Sequence, residues 1–345
     1  MALLYSKREA VRLLGATLAV APLAGLHARA SAADVVRMRT IIDNDFAGDP
    51  DGLVQLAHHA LSQSVDIPLV IASHLHPGES WTGDAKVAEG GAREAAALLD
   101  MLALPRRPAV IAGAEAAIAA RATWTPSAAT AAVVREAMRT DTQFPLFYCA
   151  GASLTELALA WLTEPRIASR MKLVWIGGGE YPGLGVPPPD TTGAEYNLTI
   201  DTVAAQIIFN ESDFEIWQVP RDAYRQLLFS TAELDEMAGT GKVGAYLAER
   251  IARVPALAAR ASRGKMPGLG ETYVMGDSPL VTLTALQSSF QPDPSSSEYA
   301  TVPCPRITDK GLYEADANGR PIRVYRRIDT RLTFMDMMAK FRKLR

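Results

Sequence analysis

The stretch that decides the fold spans residues 38–61 and reads MRTIIDNDFAGDPDGLVQLAHHAL. Residues 38–42 are mostly apolar or β-branched, which predicts a buried strand. In residues 53–61 the apolar positions recur at helical spacing and predict a helix. The acidic residues between them therefore lie on a strand-to-helix turn. In an open parallel sheet, such turns lie at the carboxyl ends of the strands, where these sheets bind ligands.

Four aspartates occupy this turn within nine residues: Asp43, Asp45, Asp49 and Asp51. Carboxylates this close repel one another unless a cation lies between them. Clustered oxygen ligands suit hard ions such as Ca²⁺ or Mg²⁺ better than they suit soft metals. The alternative is a solvated turn in which Asp51 is the N-cap of the next helix. This stretch alone does not distinguish the two interpretations.

The remainder of the chain alternates strands and helices in the manner of βαβ units. Further strands are predicted at residues 67–72, 109–112, 145–149, 172–176 and 214–219. Residues 68–72 are continuously apolar, which indicates a strand covered on both faces and hence a parallel sheet. Residues 299–327 alternate polar and apolar positions and predict a C-terminal antiparallel ribbon. The predicted fold class is α/β, with an open, mostly parallel, Rossmann-like sheet flanked by helices.

The first residues differ in character from the rest of the chain. Basic residues precede an apolar run at residues 13–26, and small residues suited to cleavage follow it. This pattern predicts an export signal peptide over residues 1–32 and one mature domain over residues 33–345, either periplasmic or secreted. Residues 6–11 resemble the twin-arginine export motif with Lys7 in the first arginine position, which leaves the export route open. The apolar run is short for a membrane span, so an uncleaved anchor is the weaker alternative.

The composition of the chain argues against some classes of partner and of structural site. The formal net charge is −3 at pH 7, and no basic stripe carries interleaved aromatic residues, so we expect no nucleic-acid partner. The only cysteines, Cys149 and Cys304, provide neither a disulfide framework nor the spacing of a zinc site. Hydrophobic residues make up 48% of the chain, which is enough to bury one large α/β core.

Several segments at predicted strand ends resemble the inosine–uridine nucleoside hydrolase family. Residues 43–49 match its Asp-x-Asp-x-x-x-Asp-Asp loop up to the last aspartate, where this chain has Pro50 before Asp51. Glu195-Tyr196-Asn197 resembles the family's Glu-Phe-Asn segment, and residues 150–155 resemble its turn after the fourth strand. Gly276-Asp277 looks like its late His-Asp pair without the histidine. The resemblance runs, with gaps, from about residue 38 to residue 290.

The resemblance implies a calcium-dependent enzyme that hydrolyses the N-glycosidic bond of a nucleoside to a pentose and a free base. It places Ca²⁺ on Asp45, on Asp49 or Asp51, on Asp277 and on a carbonyl near Ala150. Asp45 would also act as general base on a metal-activated water. The ribose hydroxyls would be held by three residues, namely Asp49, Glu195 and Asn197. Family members are commonly dimers or tetramers, so the resemblance leaves a homo-oligomer open.

The missing late histidine leaves open which group protonates the leaving base. The candidate substitutes are Tyr273, His74 and His76, and a solvated loop pair is the alternative for the two histidines. Tyr273 is also a candidate substrate ligand. His58 and His59 follow the aspartate loop on its helix and are predicted to be structural or surface residues. Trp81, Trp175 and Tyr181 are candidates to stack on a base, with core packing as the alternative.

Two further functions compete with hydrolysis. One is a protein of the same fold that binds a nucleoside or a sugar without turning it over, which the missing histidine and the Pro50 insertion favour. The other is an Asp-x-Asp phosphatase of the haloacid dehalogenase type with Asp43 as nucleophile. Its motif lysine and late acidic pair cannot be assigned in this chain, so we rank it last.

Overall fold

Strand β1, Met38–Asn44, lies inside the central sheet, and every one of its residues is buried. The protein is described by a computed structural model that covers residues 35–189, 191, 193–261, 270–288 and 295–344. From Val36 onward the chain belongs to one compact unit. The predicted export signal at residues 1–32 lies outside the described residues.

The described residues contain twelve strands. They are β1, β2 (Val65–Ala72), β3 (Ala109–Ala112), β4 (Leu146–Ala150), β5 (Met171–Ile176), β6 (Glu215–Val219), β7 (Leu228–Ser230), β8 (Thr272–Val274), β9 (Glu298–Pro303), β10 (Arg306–Ile307), β11 (Tyr313–Glu314) and β12 (Pro321–Arg327). Eight of them form the central sheet in the order β3-β2-β1-β4-β5-β6-β12-β9. All neighbours in it are parallel except β12 and β9, which are antiparallel. The remaining pairs, β7-β8 and β10-β11, are small antiparallel sheets.

The α-helices of the described residues connect these strands. They are α1 (Asp51–Ala60), α2 (Val87–Leu102), α3 (Thr130–Ala137), α4 (Thr155–Thr163), α5 (Tyr196–Ile200), α6 (Thr202–Gln206), α7 (Arg221–Tyr224), α8 (Thr231–Ala238), α9 (Lys242–Ala252), α10 (Val254–Ala261), α11 (Pro279–Thr282) and α12 (Thr330–Arg342). A 3₁₀ turn, Pro165–Ser169, and a π-helical turn, Ile207–Glu211, complete the set. No helix in the described ranges is both long enough and apolar enough to cross a bilayer.

The central sheet separates two hydrophobic cores, because successive side chains of a strand point to opposite faces. Ile42 packs in the core formed with α1, α2, α9 and α12, whereas Ile41 packs in the core formed with α3, α4 and α6. The same alternation sends the last two residues of β1 in opposite directions. Asn44 faces the α1 side and Asp43 faces the α4 side.

The predicted open, mostly parallel sheet flanked by helices is confirmed. β1 continues through Asp43 and Asn44, so the aspartate turn begins only at Asp45. The C-terminal antiparallel ribbon is also present, as β9 and β12. It is not a separate appendage, because β12 pairs in parallel with β6 and so extends the central sheet.

Candidate active site

A cavity of about 440 Å³ lies at the carboxyl ends of the central strands. Its acidic lining residues are Asp45, Asp49, Asp51, Glu195 and Asp277. Its other lining residues are Leu75, Trp81, Gly151, Ile176, Tyr196, Asn197, Tyr224, Arg225, Val274 and Gly276. The volume lies within the range of small-molecule sites, and apolar walls with a few polar groups are typical of them.

Asp45 begins the turn that follows β1, and only 8% of its surface is exposed. Its amide donates to Asn44 Oδ1 at 2.9 Å, and its carbonyl accepts from the Gly48 amide at 2.6 Å. Gly48 lets the turn pack closely, since an added Cβ would lie 2.9 Å from Leu75 Cδ2 and 3.1 Å from the Asp45 carbonyl oxygen. Burial raises the pKa of the Asp45 carboxyl well above its ordinary value, and repulsion from Asp277 and Asp49 raises it further.

Asp49 and Asp51 both line the cavity, so the inserted proline does not remove either from it. Tyr273 donates its hydroxyl proton to Asp49, whose pKa burial raises to about 6. Asp51 Oδ2 accepts from the Asp277 amide at 3.1 Å. The N-cap of α1 is Pro50 rather than Asp51, and no side chain caps this helix. The alternative in which Asp51 serves as N-cap is therefore wrong.

Asp277 lies far from the aspartate turn in sequence but lines the same cavity. With Asp45, Asp49 and Asp51 it forms the acidic wall of that cavity. Its Oδ2 accepts from Asn44 Nδ2 at 2.8 Å, and burial raises its pKa to about 7. The residue before it, Gly276, takes the place of the histidine expected from the resemblance. A Cβ built on Gly276 would lie 3.2 Å from Asp51 Oδ2 and 3.5 Å from Tyr224 Cδ2. A side chain at position 276 would therefore require Asp51 to shift by a few tenths of an ångström.

The chemistry of the acidic wall fits a hard divalent cation. Asp45 and Asp277 are buried and Asp51 is half-buried; desolvation raises the pKa of each carboxyl, and repulsion from neighbouring carboxylates of the cavity raises it further. A divalent cation among them would remove that repulsion, and carboxylates are the ligands that Ca²⁺ and Mg²⁺ prefer. No three acidic, histidine or cysteine side chains of the described residues already surround one point. The fit therefore rests on the nature of the donors.

Glu195 and Asn197 hold the opposite rim of the cavity. Glu195 is the N-cap of α5, and its carboxylate accepts from the amides of Gly178 and Leu198 at 2.7 and 3.1 Å. Asn197 Nδ2 donates to the carbonyls of Gly151 and Ile176 at 3.0 and 2.9 Å. Both side chains are thus fixed before any ligand arrives. The backbone that lines the cavity after β4 is that of Gly151, one residue beyond the predicted Ala150.

The structure does not bring His74 to the cavity. Its ring is buried, with Nδ1 2.9 Å from the Leu75 carbonyl oxygen and Nε2 3.0 Å from Thr155 Oγ1. Thr155 in turn donates to Asp201 Oδ2 at 2.8 Å. Tyr273 lies behind Asp49 and likewise does not line the cavity. Neither position supports the predicted roles of proton donor and substrate ligand, and both residues orient their neighbours instead.

Asp43 lies outside the cavity lining as well. Its carboxylate accepts hydrogen bonds from Ser73 and, at 2.6 Å, from Tyr148, and burial raises its pKa to about 7. A nucleophile must reach its substrate, so this position removes the basis of the phosphatase hypothesis. Trp81, by contrast, does line the cavity, as the stacking hypothesis requires, whereas Trp175 and Tyr181 are buried and do not line it.

Sequence reasoning missed Tyr224 and Arg225 in the lining and Asn44 behind it. Tyr224 donates to Glu195 Oε1 at 2.9 Å. It ends a four-residue helix, α7, which carries no sequence signal of its own. Asn44 was visible as the middle residue of the Asp-x-Asp pattern, but only the fold places it between Asp277 and α1.

The raised pKa values predict a pH-dependent stability of the metal-free protein. Folding raises the pKa of Asp49 from 3.8 to about 6 and the pKa values of Asp43 and Asp277 from 3.8 to about 7. The stabilisation is therefore complete below the unfolded value and is lost as the pH rises through the folded values. In chelator we expect Tm, measured by calorimetry, to fall between about pH 5 and about pH 8. A higher Tm at the more alkaline pH would contradict this prediction.

Known structures share the fold over nearly the whole chain. A purine-preferring ribonucleoside hydrolase from Gardnerella vaginalis aligns with a TM-score of 0.64 and 17% identity, covering 89% of this chain and 98% of that one. An inosine-uridine preferring nucleoside hydrolase from Bacillus anthracis aligns with a TM-score of 0.61 and 17% identity, covering 89% and 99%. At this identity the likeness shows the fold alone.

Comparison with known sequences identifies the family to which the chain belongs. Curated inosine-uridine preferring nucleoside hydrolases are 46% identical over 67 residues, from Crithidia fasciculata, and 41% identical over 80 residues, from Leishmania major. These segments cover 19% and 23% of this chain, and only 18% and 24% of those relatives. The sequence profile described as "Inosine-uridine preferring nucleoside hydrolase" matches residues 40–331, which include both the aspartate turn and Asp277. The chain therefore belongs to the inosine-uridine preferring nucleoside hydrolase family.

Proposed function

We propose that this protein is an exported, Ca²⁺-dependent hydrolase that splits the N-glycosidic bond of a ribonucleoside into a pentose and a free base. The observation that carries the proposal is the acidic wall of a cavity of about 440 Å³ at the strand ends, formed by two buried and two half-buried aspartates. The family acts on N-glycosyl bonds and is metal-dependent in general. The oxygen-only donor set suits a hard divalent cation, and Ca²⁺ is the ion that the resemblance to the family implies.

Each residue of the cavity has a proposed role that follows from its position. Ca²⁺, when bound, would lower the pKa of a water and attract sugar hydroxyls. Asp45, with its raised pKa, takes the proton of the attacking water as general base. Asp49 and the rim residues Glu195 and Asn197 surround the ribose and orient its anomeric carbon. The remaining carboxylates stabilise the oxocarbenium-like charge as the bond to the base breaks.

The residues that we place around the leaving base are aromatic, in contrast to the carboxylates around the ribose. Trp81 offers an aromatic face, and Tyr224 lies beside Gly276. The Tyr224 hydroxyl proton is held by Glu195, and burial raises the pKa of this phenol above its ordinary value. No histidine lines the cavity among the described residues, and this favours the second candidate function, a nucleoside-binding protein that does not turn its ligand over.

One experiment separates the two candidates. The mature chain from Ala33 is incubated with a panel of purine and pyrimidine nucleosides, with Ca²⁺ or with chelator, and reducing sugar is measured. We expect sugar release with Ca²⁺ and none with chelator, and the best nucleoside then identifies the base preference. Nucleoside binding without any release would overturn hydrolysis in favour of the binding protein.

Export is a separate part of the proposal and rests on the basic, then apolar, residues 1–32. Fusing residues 1–33 to a reporter enzyme and fractionating the cells tests it directly. We expect the reporter outside the cytoplasm. Replacement of Lys7 and Arg8 by glutamine should retain it inside, and unchanged export of that variant would remove the basis for a twin-arginine route.

A further inference from the structure

A chain of four buried polar side chains runs from the acidic wall into the core on the α1 side of the sheet. Asn44, Gln55, His59 and Thr284 each have an exposed fraction of 0%. Buried polar groups are costly unless each is hydrogen-bonded. A connected set of this kind therefore specifies the positions of its members.

The contacts form one continuous series. Asn44 Nδ2 lies 2.8 Å from Asp277 Oδ2 and 3.4 Å from Gln55 Oε1. Gln55 Nε2 contacts His59 Nδ1, and His59 Nε2 lies 2.9 Å from Thr284 Oγ1. The Thr284 hydroxyl donates to the Leu280 carbonyl at 2.5 Å.

The donor and the acceptor of each hydrogen bond in the series can be assigned by starting from Thr284. Because the Thr284 hydroxyl donates to a carbonyl, its oxygen accepts from His59 Nε2–H. The other ring nitrogen is then unprotonated and accepts from the Gln55 amide, whose oxygen accepts from Asn44. Burial lowers the pKa of His59, which keeps the ring neutral, as this assignment requires. The series ends with Asn44 donating to Asp277.

Asn44 has little freedom to reorient. A Cβ added at Gly52 would lie 2.9 Å from Asn44 Cγ, and one added at Gly151 would overlap Asn44 Nδ2. The carboxamide therefore lies between two backbone segments that approach closely because both residues are glycine. Its hydrogen bonds decide which way its NH₂ group points.

We propose that Gln55 and His59 are positioning residues of the active site, which orient Asn44 so that it holds the Asp277 carboxylate toward the cavity. Helix α1 makes this arrangement possible, because Asp51, Gln55 and His59 are spaced four residues apart and lie on one face. Helix α1 thus contributes Asp51 to the acidic wall and also carries Gln55 and His59, which support a second residue of the wall, Asp277. The consequence for cation binding rests on the proposed function.

His58 provides a matched control. It is as buried as His59, but its Nε2 contacts Asp336 of α12 at 2.8 Å, away from the acidic wall. Replacing either histidine by leucine removes one buried imidazole from the same helix, so both variants carry a comparable stability cost. Only His59→Leu breaks the series to Asp277.

The experiment measures Ca²⁺ affinity by calorimetry, and sugar release against Ca²⁺ concentration, for wild type, His59→Leu and His58→Leu. We expect His59→Leu to weaken Ca²⁺ binding by about tenfold, the lower end for loss of a partner behind a metal ligand. Its activity should keep rising with Ca²⁺ where wild type is already saturated. His58→Leu should match wild type in both measurements. His59→Asn should recover much of the affinity, since its Oδ1 can accept from Gln55 as Nδ1 does.

Crystal structures of the metal-free variants decide the inference independently of activity. The Asp277 carboxylate should move in His59→Leu and stay in place in His58→Leu. Equal behaviour of the two variants in affinity and in carboxylate position would overturn the positioning role. If wild type neither binds Ca²⁺ nor releases sugar, the proposed function fails, and the Asp277 position alone decides the role of His59.

Discussion

Replacing Asp45 with asparagine is expected to lower kcat by roughly 10²–10⁴-fold, the usual contribution of a positioned general base. The amide has nearly the same size as the carboxylate but cannot accept a proton from water. Folding should not suffer, because burial and repulsion already disfavour the charged form of Asp45. Sugar release measures the loss of kcat, and thermal unfolding verifies that Tm is not lowered.

Asp235→Asn is the matched control for this substitution. Asp235 lies exposed on α8, outside the cavity lining, so the same chemical change there should leave kcat unaltered. If Asp45→Asn retains most of the wild-type activity, Asp45 is not the base. The neighbouring carboxylates of the wall, Asp49 and Asp51, would then be the candidates.

Replacing Asp277 with alanine is expected to weaken Ca²⁺ binding by more than the roughly 10–100-fold that loss of an outer partner costs. The substitution removes one carboxylate from the wall, and the affinity of a Ca²⁺ site depends strongly on the number of charged ligands. It also leaves Asn44 Nδ2 without its acceptor at 2.8 Å. Titration calorimetry of the metal-free protein measures the effect.

Asp277→Asn separates these two causes. The asparagine oxygen can still accept from Asn44, while the negative charge is lost. If charge is what the cation requires, Asp277→Asn should bind Ca²⁺ nearly as weakly as Asp277→Ala. Wild-type affinity in both variants would exclude Asp277 from the ligand set.

The strands of the fold were predictable because their cause is local. A parallel strand covered on both faces must be apolar at nearly every position, and residues 68–72 show that pattern directly. The aspartate turn was predictable for the same reason, since its members are close in sequence. The pairing of β12 with β6 was not, because it depends on a contact between Arg323 and Trp217, more than a hundred residues apart.

The directions in which the side chains of the site point could not be predicted from the sequence. His58 and His59 are identical neighbours in sequence, and only the packing of α1 against α12 and the end of α11 gives them different partners. His74 follows a strand end, as a site residue should, but Thr155 holds its ring inside the protein. Tyr224 reaches the cavity from a one-turn helix whose position depends on the rest of the sheet.

The position of β12 between β6 and β9 has a consequence for biosynthesis. Strand β12 begins only at Pro321, long after β6 ends at Val219, so the sheet beside β6 stays unpaired until β12 has been synthesised. A chain that ends before Pro321 would expose β6 as an unpaired edge, and unpaired edges promote aggregation. Premature termination between Val219 and Pro321 should therefore yield insoluble product rather than a smaller working enzyme.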